Sequence, residues 1–212
     1  MTENFVFSDI SSRVEEELAE VPLKRNMNII GPRHLGHIVG VLVTEEEKGY
    51  CLDELAYRIN KDYRRMLRPA EALVVAPLLN GAMQFASDLM QRLTLPVELD
   101  TIKIESYAGA TGSSGEPKIH KDFSRSVYGR HVLLIEDIVD TGRTIKFVRE
   151  LLEHKNAKTV RVATFLDKAC AREVDVDAEY VGFRIPDMFV VGYGLDYHHQ
   201  LRNLPFVGVY KE

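Results

Sequence analysis

Three short, almost uninterrupted apolar runs constrain this chain more than any other feature: Ala72–Pro77, His131–Ile135 and Val160–Leu166. A strand that is apolar at nearly every position must be covered on both faces, which is the condition inside a parallel sheet. The segments between the runs have a helical period. Leu52–Met66 is apolar at 52, 55, 59 and 63. Ala82–Leu93 carries Met83, Phe85, Ala86, Leu89, Met90 and Leu93, and Arg143–Leu152 follows the second run. Val97–Ile104 reads as a further strand. The order β-α-β-β-α-β predicts an α/β domain with a mainly parallel central sheet flanked by helices. A chain of 212 residues can close one such core.

Composition excludes several alternatives. No apolar run approaches the roughly 20 residues that span a bilayer; the longest, Ala72–Leu79, holds a proline. The net charge of −5 lacks the bulk electrostatics of a general nucleic-acid binder. Cys51 and Cys170 are isolated and form no zinc pattern, as expected of thiols in a reducing compartment. The Glu-rich start lacks the features of a secretory signal, so a cytoplasmic protein is expected. Residues 1–40 read as an extension of unknown role, with the patterned domain over 41–212.

The segment richest in chemistry is Val132–Thr144, VLLIEDIVDTGRT. A buried strand runs into Glu136 and Asp137, then into Asp140-Thr141-Gly142-Arg143-Thr144, then into a helix. In an open α/β sheet this junction lies at the carboxyl edge, where ligands bind. The 140–144 loop offers backbone N–H groups, two hydroxyls and a helix N-terminus, the parts that hold a phosphate monoester. Glu136 and Asp137 suit hydroxyl groups or the water of a bound metal. An isolated Asp-Thr-Gly is more often a plain helix cap. It also occurs in all-β aspartic proteases, which the α/β pattern disfavours. A long polar stretch, Ser106–Gly115 with its flanks, separates two strands and reads as a lid or a disordered segment.

The whole Val132–Thr144 string resembles the phosphoribosyl-pyrophosphate signature of type I phosphoribosyltransferases. Other segments are similar to parts of the same family. Leu79-Asn80-Gly81 resembles its pyrophosphate loop, with Asn80 where lysine is common. The family's peptide bond there can be cis, so Leu79–Asn80 is expected to be cis. Ser106-Tyr107 resembles the start of its mobile lid, expected over about 105–128. Val181–Tyr197, with Arg202-Asn203-Leu204-Pro205, resembles the C-terminal segment of the hypoxanthine-guanine members, expected to form a small base-binding hood over about 168–212 together with other terminal segments.

The resemblance implies a purine salvage enzyme that transfers a 5-phosphoribosyl group from phosphoribosyl pyrophosphate to N9 of hypoxanthine or guanine. It implies roles residue by residue. Asp140 serves N7 as general base, and Lys168 donates to the 6-oxo group. Glu136, Asp137, Asp140, Thr141, Gly142, Arg143 and Thr144 bind the phosphoribosyl moiety. Leu79, Asn80, Gly81, Ser106, Tyr107 and Arg202 bind pyrophosphate, and Arg172 supports their loop. Phe189 stacks on the purine, Val190 reads its edge through backbone groups, and Asp196 completes the purine-binding set with Lys168. Mg²⁺ is the implied cofactor, with Asp196, Glu136 and Asp137 as its carboxylates. A homodimer or homotetramer is implied, with neither nucleic acid nor membrane as partner. His198-His199 reads as surface, because adjacent side chains do not converge on one face of a strand or helix. A non-catalytic regulator would lose the base pocket, whereas Lys168, Phe189 and Asp196 are all present.

Overall fold

A computed structural model describes residues 5–13, 18–34, 36–105 and 117–212. In chain order its elements are β1 (Phe5–Asp9), α1 (Leu23–His34), β2 (Ile38–Val43), α2 (Glu45–Met66), β3 (Leu73–Pro77), α3 (Met83–Met90), β4 (Val97–Leu99) and β5 (Lys103–Glu105). There follow β6 (Lys118–Lys121), β7 (His131–Val139), α4 (Arg143–His154), β8 (Thr159–Asp167), β9 (Tyr180–Arg184), β10 (Val190–Val191) and β11 (Val207–Tyr210).

The six-stranded central sheet has the order β1-β9-β8-β7-β3-β4. Each of its pairings is parallel. The apolar runs are explained by what covers them. In β7, Leu133 and Ile135 pack into a cluster with Leu55, Ile59, Phe85 and Leu89 from α2 and α3. Val132 and Leu134 pack into the opposite cluster with Ile145, Val148 and Leu152 from α4. Both faces of the strand are therefore dry.

Four boundaries differ from the sequence reading. Helix α2 starts seven residues earlier than Leu52, at a capping box in which Thr44 and Glu47 exchange side-chain and backbone bonds. Its first turn holds Glu45, Glu46 and Glu47 and its last Arg64 and Arg65, matching the helix dipole at both ends. The strand expected over 97–104 breaks at Asp100, whose carboxylate accepts from the N–H groups of Thr101, Ser124 and Arg125. Only β4 stays in the main sheet; β5 leaves it to pair with β6. So 117–128 of the expected lid includes a strand and the buried Val127. Finally, β7 runs on to Val139, so Glu136 and Asp137 are strand residues.

The N-terminal stretch contributes to the fold. Strand β1 forms a sheet edge parallel to β9. Strand β2 joins β10 and β11 in a second, antiparallel sheet of order β10-β11-β2. Under it lies a separate cluster with Ile30, Ile38, Val191, Leu204, Phe206 and Tyr210. This small sheet is built from both ends of the chain, while β9, within the 168–212 expected to form a hood, belongs to the central sheet instead.

Candidate active site

The carboxyl ends of β3, β7 and β8 carry most of the residues singled out from the sequence. The 140–144 loop follows β7. Gly142, the cap of α4, has a φ of 82°, and a β-carbon there would stand 2.5 Å from Val176 Cγ1. Glycine is required on both counts. Arg172 Nη1 donates to the Asp140 carbonyl at 2.7 Å, and the Glu173 and Val174 N–H groups donate to the Thr141 carbonyl. Arg172 is aimed by the buried Asp167 carboxylate, which also faces Arg184 at 3.5 Å. The sequence reading placed Arg172 behind the pyrophosphate loop. It stands behind the 140–144 loop instead, because the turn after β8 passes beside the start of α4.

The concavity framed by this loop measures about 220 Å³ and is lined by Glu136, Ile138, Asp140, Thr141, Gly142 and Thr144. The Arg143 guanidinium turns outward to Glu173 at 2.5 Å. Its charge therefore does not enter the cradle.

Asp137 turns toward the 79–81 loop, against Gly81. The Leu79–Asn80 peptide is cis, as expected, and the Asn80 side chain is exposed. Gly194 packs against the Gly81 carbonyl from the other side. Arg202 joins this stack: it donates to the Gly194 carbonyl at 2.5 Å and pairs with Asp196 Oδ1 at 2.6 Å. The second oxygen of Asp196 accepts the His199 N–H at 2.8 Å. The His199 ring is almost fully exposed, in line with its reading as a surface residue.

Burial raises the pKa of both Glu136 and Asp137; for Glu136 the adjacent Asp137 carboxylate raises it further. For Asp137 the hydrogen bond from Glu136, its own and the Ile138 N–H groups and the Arg202 charge act in the opposite direction. Glu136 Oε2 is buried without a hydrogen-bond partner. Two partly buried carboxylates and an orphaned oxygen form a site that favours a cation or hydroxyl donors.

Lys168 begins the turn after β8. It is 9% exposed, with its N–H on the Val139 carbonyl and its ammonium 3.3 Å from Asp187 Oδ1. Phe189 is 54% exposed and stands edge-on to Tyr197 and Tyr210. The Phe189 carbonyl accepts the Tyr210 N–H, and Val190 lies opposite Val209. In an antiparallel ladder such bonds alternate, so the Val190 N–H and C=O point away from β11, at the edge of the small sheet. Ser106 and Tyr107 lie outside the described residues. The sequence alone gives no role to Asp167, Asp187 or Gly194, although each lies in or beside a segment that resembles the family. Only Gly194 left a local signal, in the Gly192-Tyr193-Gly194 triplet; the two acids matter through partners on other segments.

This arrangement is that of an α/β domain with its candidate site at the carboxyl edge of a parallel sheet. Residues 50–198 match the family model described as the phosphoribosyl transferase domain, and the chain belongs to the phosphoribosyltransferase family. Its relatives narrow the group to the hypoxanthine-guanine phosphoribosyltransferases. The chain is 42% identical to the enzyme of that name from Streptococcus mutans over 176 residues, 83% of this chain and 95% of the relative. It is 42% identical to that from Bacillus subtilis over 171 residues, 81% of this chain and 92% of the relative. A crystal structure of a hypoxanthine phosphoribosyltransferase from Staphylococcus aureus superposes with a TM-score of 0.78 at 40% identity, covering 86% of this chain and 96% of that one.

Proposed function

We propose that the chain is a purine salvage enzyme that transfers the 5-phosphoribosyl group from phosphoribosyl pyrophosphate to N9 of hypoxanthine or guanine. The products are IMP or GMP and pyrophosphate. One observation carries the reading: the adjacent carboxylates Glu136 and Asp137 lie between two loops, Glu136 lining the 140–144 concavity and Asp137 standing against Gly81. A substrate with a phosphate at one end and a pyrophosphate at the other would bridge these loops across its ribose.

In this reading the N–H groups at the start of α4 and the Thr141 and Thr144 hydroxyls hold the 5′-phosphate. Glu136 and Asp137 accept from the ribose hydroxyls. The Leu79–Gly81 backbone and Arg202 hold pyrophosphate, with Ser106 and Tyr107 covering it and excluding water. On the other side Phe189 stacks on the purine, Lys168 donates to O6, and the free Val190 backbone groups read the adjoining edge. Asp140 takes the N7 proton as the bond from N9 to the ribose carbon forms and pyrophosphate leaves.

The donor chemistry fits Mg²⁺, a hard cation that needs one or two carboxylates and otherwise takes substrate oxygens and water. Glu136, Asp137 and Asp196 would hold it directly or through its water. When bound it supplies charge neutralisation of the leaving pyrophosphate. Among the described residues no helix is long and apolar enough to cross a membrane. A cytoplasmic homodimer or homotetramer belongs to the same reading.

The test is a spectrophotometric assay of hypoxanthine, guanine and xanthine, each with phosphoribosyl pyrophosphate and Mg²⁺, repeated with EDTA and after Mg²⁺ is restored. Turnover of a 6-oxopurine that stops in chelator and returns with Mg²⁺ is expected. No turnover of any base would overturn the reading.

A further inference from the structure

The matched family segment starts at residue 50, yet two histidines before it reach the purine end of the site. His34, the last residue of α1, is only 5% exposed. Its Nε2 lies 2.7 Å from Gln200 Oε1 and its Nδ1 3.2 Å from the Tyr210 hydroxyl. An amide oxygen only accepts, so Nε2 carries a proton, and in the neutral ring Nδ1 accepts from the Tyr210 hydroxyl. His37 stacks on the Tyr210 ring at 5.4 Å and donates from Nδ1 to the Lys211 carbonyl, while the Lys211 N–H returns to the His37 carbonyl.

Tyr210 is thus held by His34 and His37, and it passes that constraint on. Its ring stacks on Tyr197 at 4.4 Å, and the two rings meet the Phe189 ring edge-on at 6.2 and 6.0 Å. Its N–H holds the Phe189 carbonyl at 2.8 Å, one residue before the Val190 backbone groups. A purely apolar filler at position 34 would pack as well without desolvating two ring nitrogens. The bonded ring instead fixes Tyr210 in one orientation.

Resting on the reading of the site above, we propose that His34 is a positioning residue for the purine pocket: through Tyr210 it sets the Phe189 ring and the Val190 edge. Its effect falls on the base and spares phosphoribosyl pyrophosphate. The other end of the site has its own support, since Arg172 holds the 140–144 loop through the Asp140 carbonyl.

The experiment is steady-state kinetics of the full chain and its His34→Ala, Tyr210→Phe and double variants, with the base and phosphoribosyl pyrophosphate varied in turn. Losing the His34–Tyr210 bond, which each variant removes, should raise the KM for hypoxanthine or guanine by roughly 5–10-fold. The KM for phosphoribosyl pyrophosphate should stay within about twofold and kcat should change less than the base KM. The double variant should be little worse than either single one, because both remove the same bond. His34→Asn, which returns an acceptor close to the Nδ1 position, should recover most of the base affinity. An unchanged base KM overturns the proposal, as does a parallel rise in both KM values alongside a fallen Tm, which would mark a merely structural residue. Should His34→Ala fail to fold, Tyr210→Phe, which loses a single oxygen, decides alone. If the unaltered chain turned over no 6-oxopurine, the functional reading would fall and this proposal with it. If that chain were active and the variants showed no split, only the role of His34 would fall.

Discussion

The α-carbon of Gly81 faces the carboxylate of Asp137 so closely that a β-carbon on it would stand 1.7 Å from Oδ2. The loop after β3 and the acidic end of β7 are therefore fitted to each other, and neither moves without the other. Gly81→Ala must push the Asp137 carboxylate aside or displace the loop. Overpacking of this kind costs roughly 1–3 kcal/mol, or about 2–4 °C of Tm for each kcal/mol in a chain of this size. The activity loss should be larger, on the order of 10²-fold in kcat/KM, because both displaced groups face the same substrate. Calorimetry and steady-state kinetics check the two figures separately. Wild-type kinetics in a folded Gly81→Ala protein would show that this contact does not serve the site.

Asp140 offers two separable contributions. Its carbonyl is held by Arg172 and shapes the loop, while its side chain is exposed at the mouth of the concavity. Asp140→Asn keeps the first and removes the proton acceptor. Turnover should fall by roughly 10²-fold or more, with affinity for phosphoribosyl pyrophosphate changed by less than about tenfold. Thr144→Val should do the reverse, since it takes a hydroxyl from the phosphate cradle. Equilibrium binding alongside single-turnover rates tells these effects apart. Intact turnover with abolished binding in Asp140→Asn would make Asp140 a structural part of the loop.

Adenine should be a poor substrate. The Lys168 ammonium has donors only, which suits a 6-oxo group and meets another donor in a 6-amino group. Discrimination on the order of 10⁴ is expected from a mismatched pair in a dry pocket. A comparison of kcat/KM for adenine and hypoxanthine measures it, and comparable values would show that Lys168 does not read position 6.

The raised pKa of Glu136 makes the stability of the ligand-free protein depend on pH. A carboxyl raised by folding binds a proton that the unfolded chain has already released. Its contribution is complete below the unfolded value and is lost as pH rises through the folded one. Glu136→Gln stays neutral throughout. The variant should therefore gain Tm over the unaltered chain on the alkaline side, by a few degrees, and match it more closely near about pH 4, where the unfolded glutamate is itself protonated. It should also lose activity. Thermal melts across pH without substrate or Mg²⁺ decide this, and equal Tm differences at all pH values would contradict it.

Much of this protein is written locally. The run Val132–Ile135 is apolar at consecutive positions because both of its faces are covered, so its neighbours in sequence already imply a parallel sheet. The Glu136–Thr144 chemistry and the Gly142 turn are likewise properties of one short peptide. Thr44 and Glu47 held the true start of α2 in a four-residue pattern, although the apolar stripe drew attention to Leu52. The break at Asp100 was not legible in this way, because its partners, Ser124 and Arg125, come from beyond the 106–116 stretch.

What the sequence determined by itself is the layered α/β class and the strand-to-helix junction after β7, with its two acids and its Asp140–Thr144 loop. Periodicity, glycine placement and motif chemistry act between near neighbours and can be read along the chain. Only the tertiary structure decided that Phe5–Asp9 closes one edge of the sheet, that Arg172 backs the 140–144 loop, that Asp187 faces Lys168 and that His34 clamps Tyr210. Each of those pairings joins segments apart in the chain. They are settled by which polar groups find partners as apolar surface is buried, a condition met by the folded molecule as a whole.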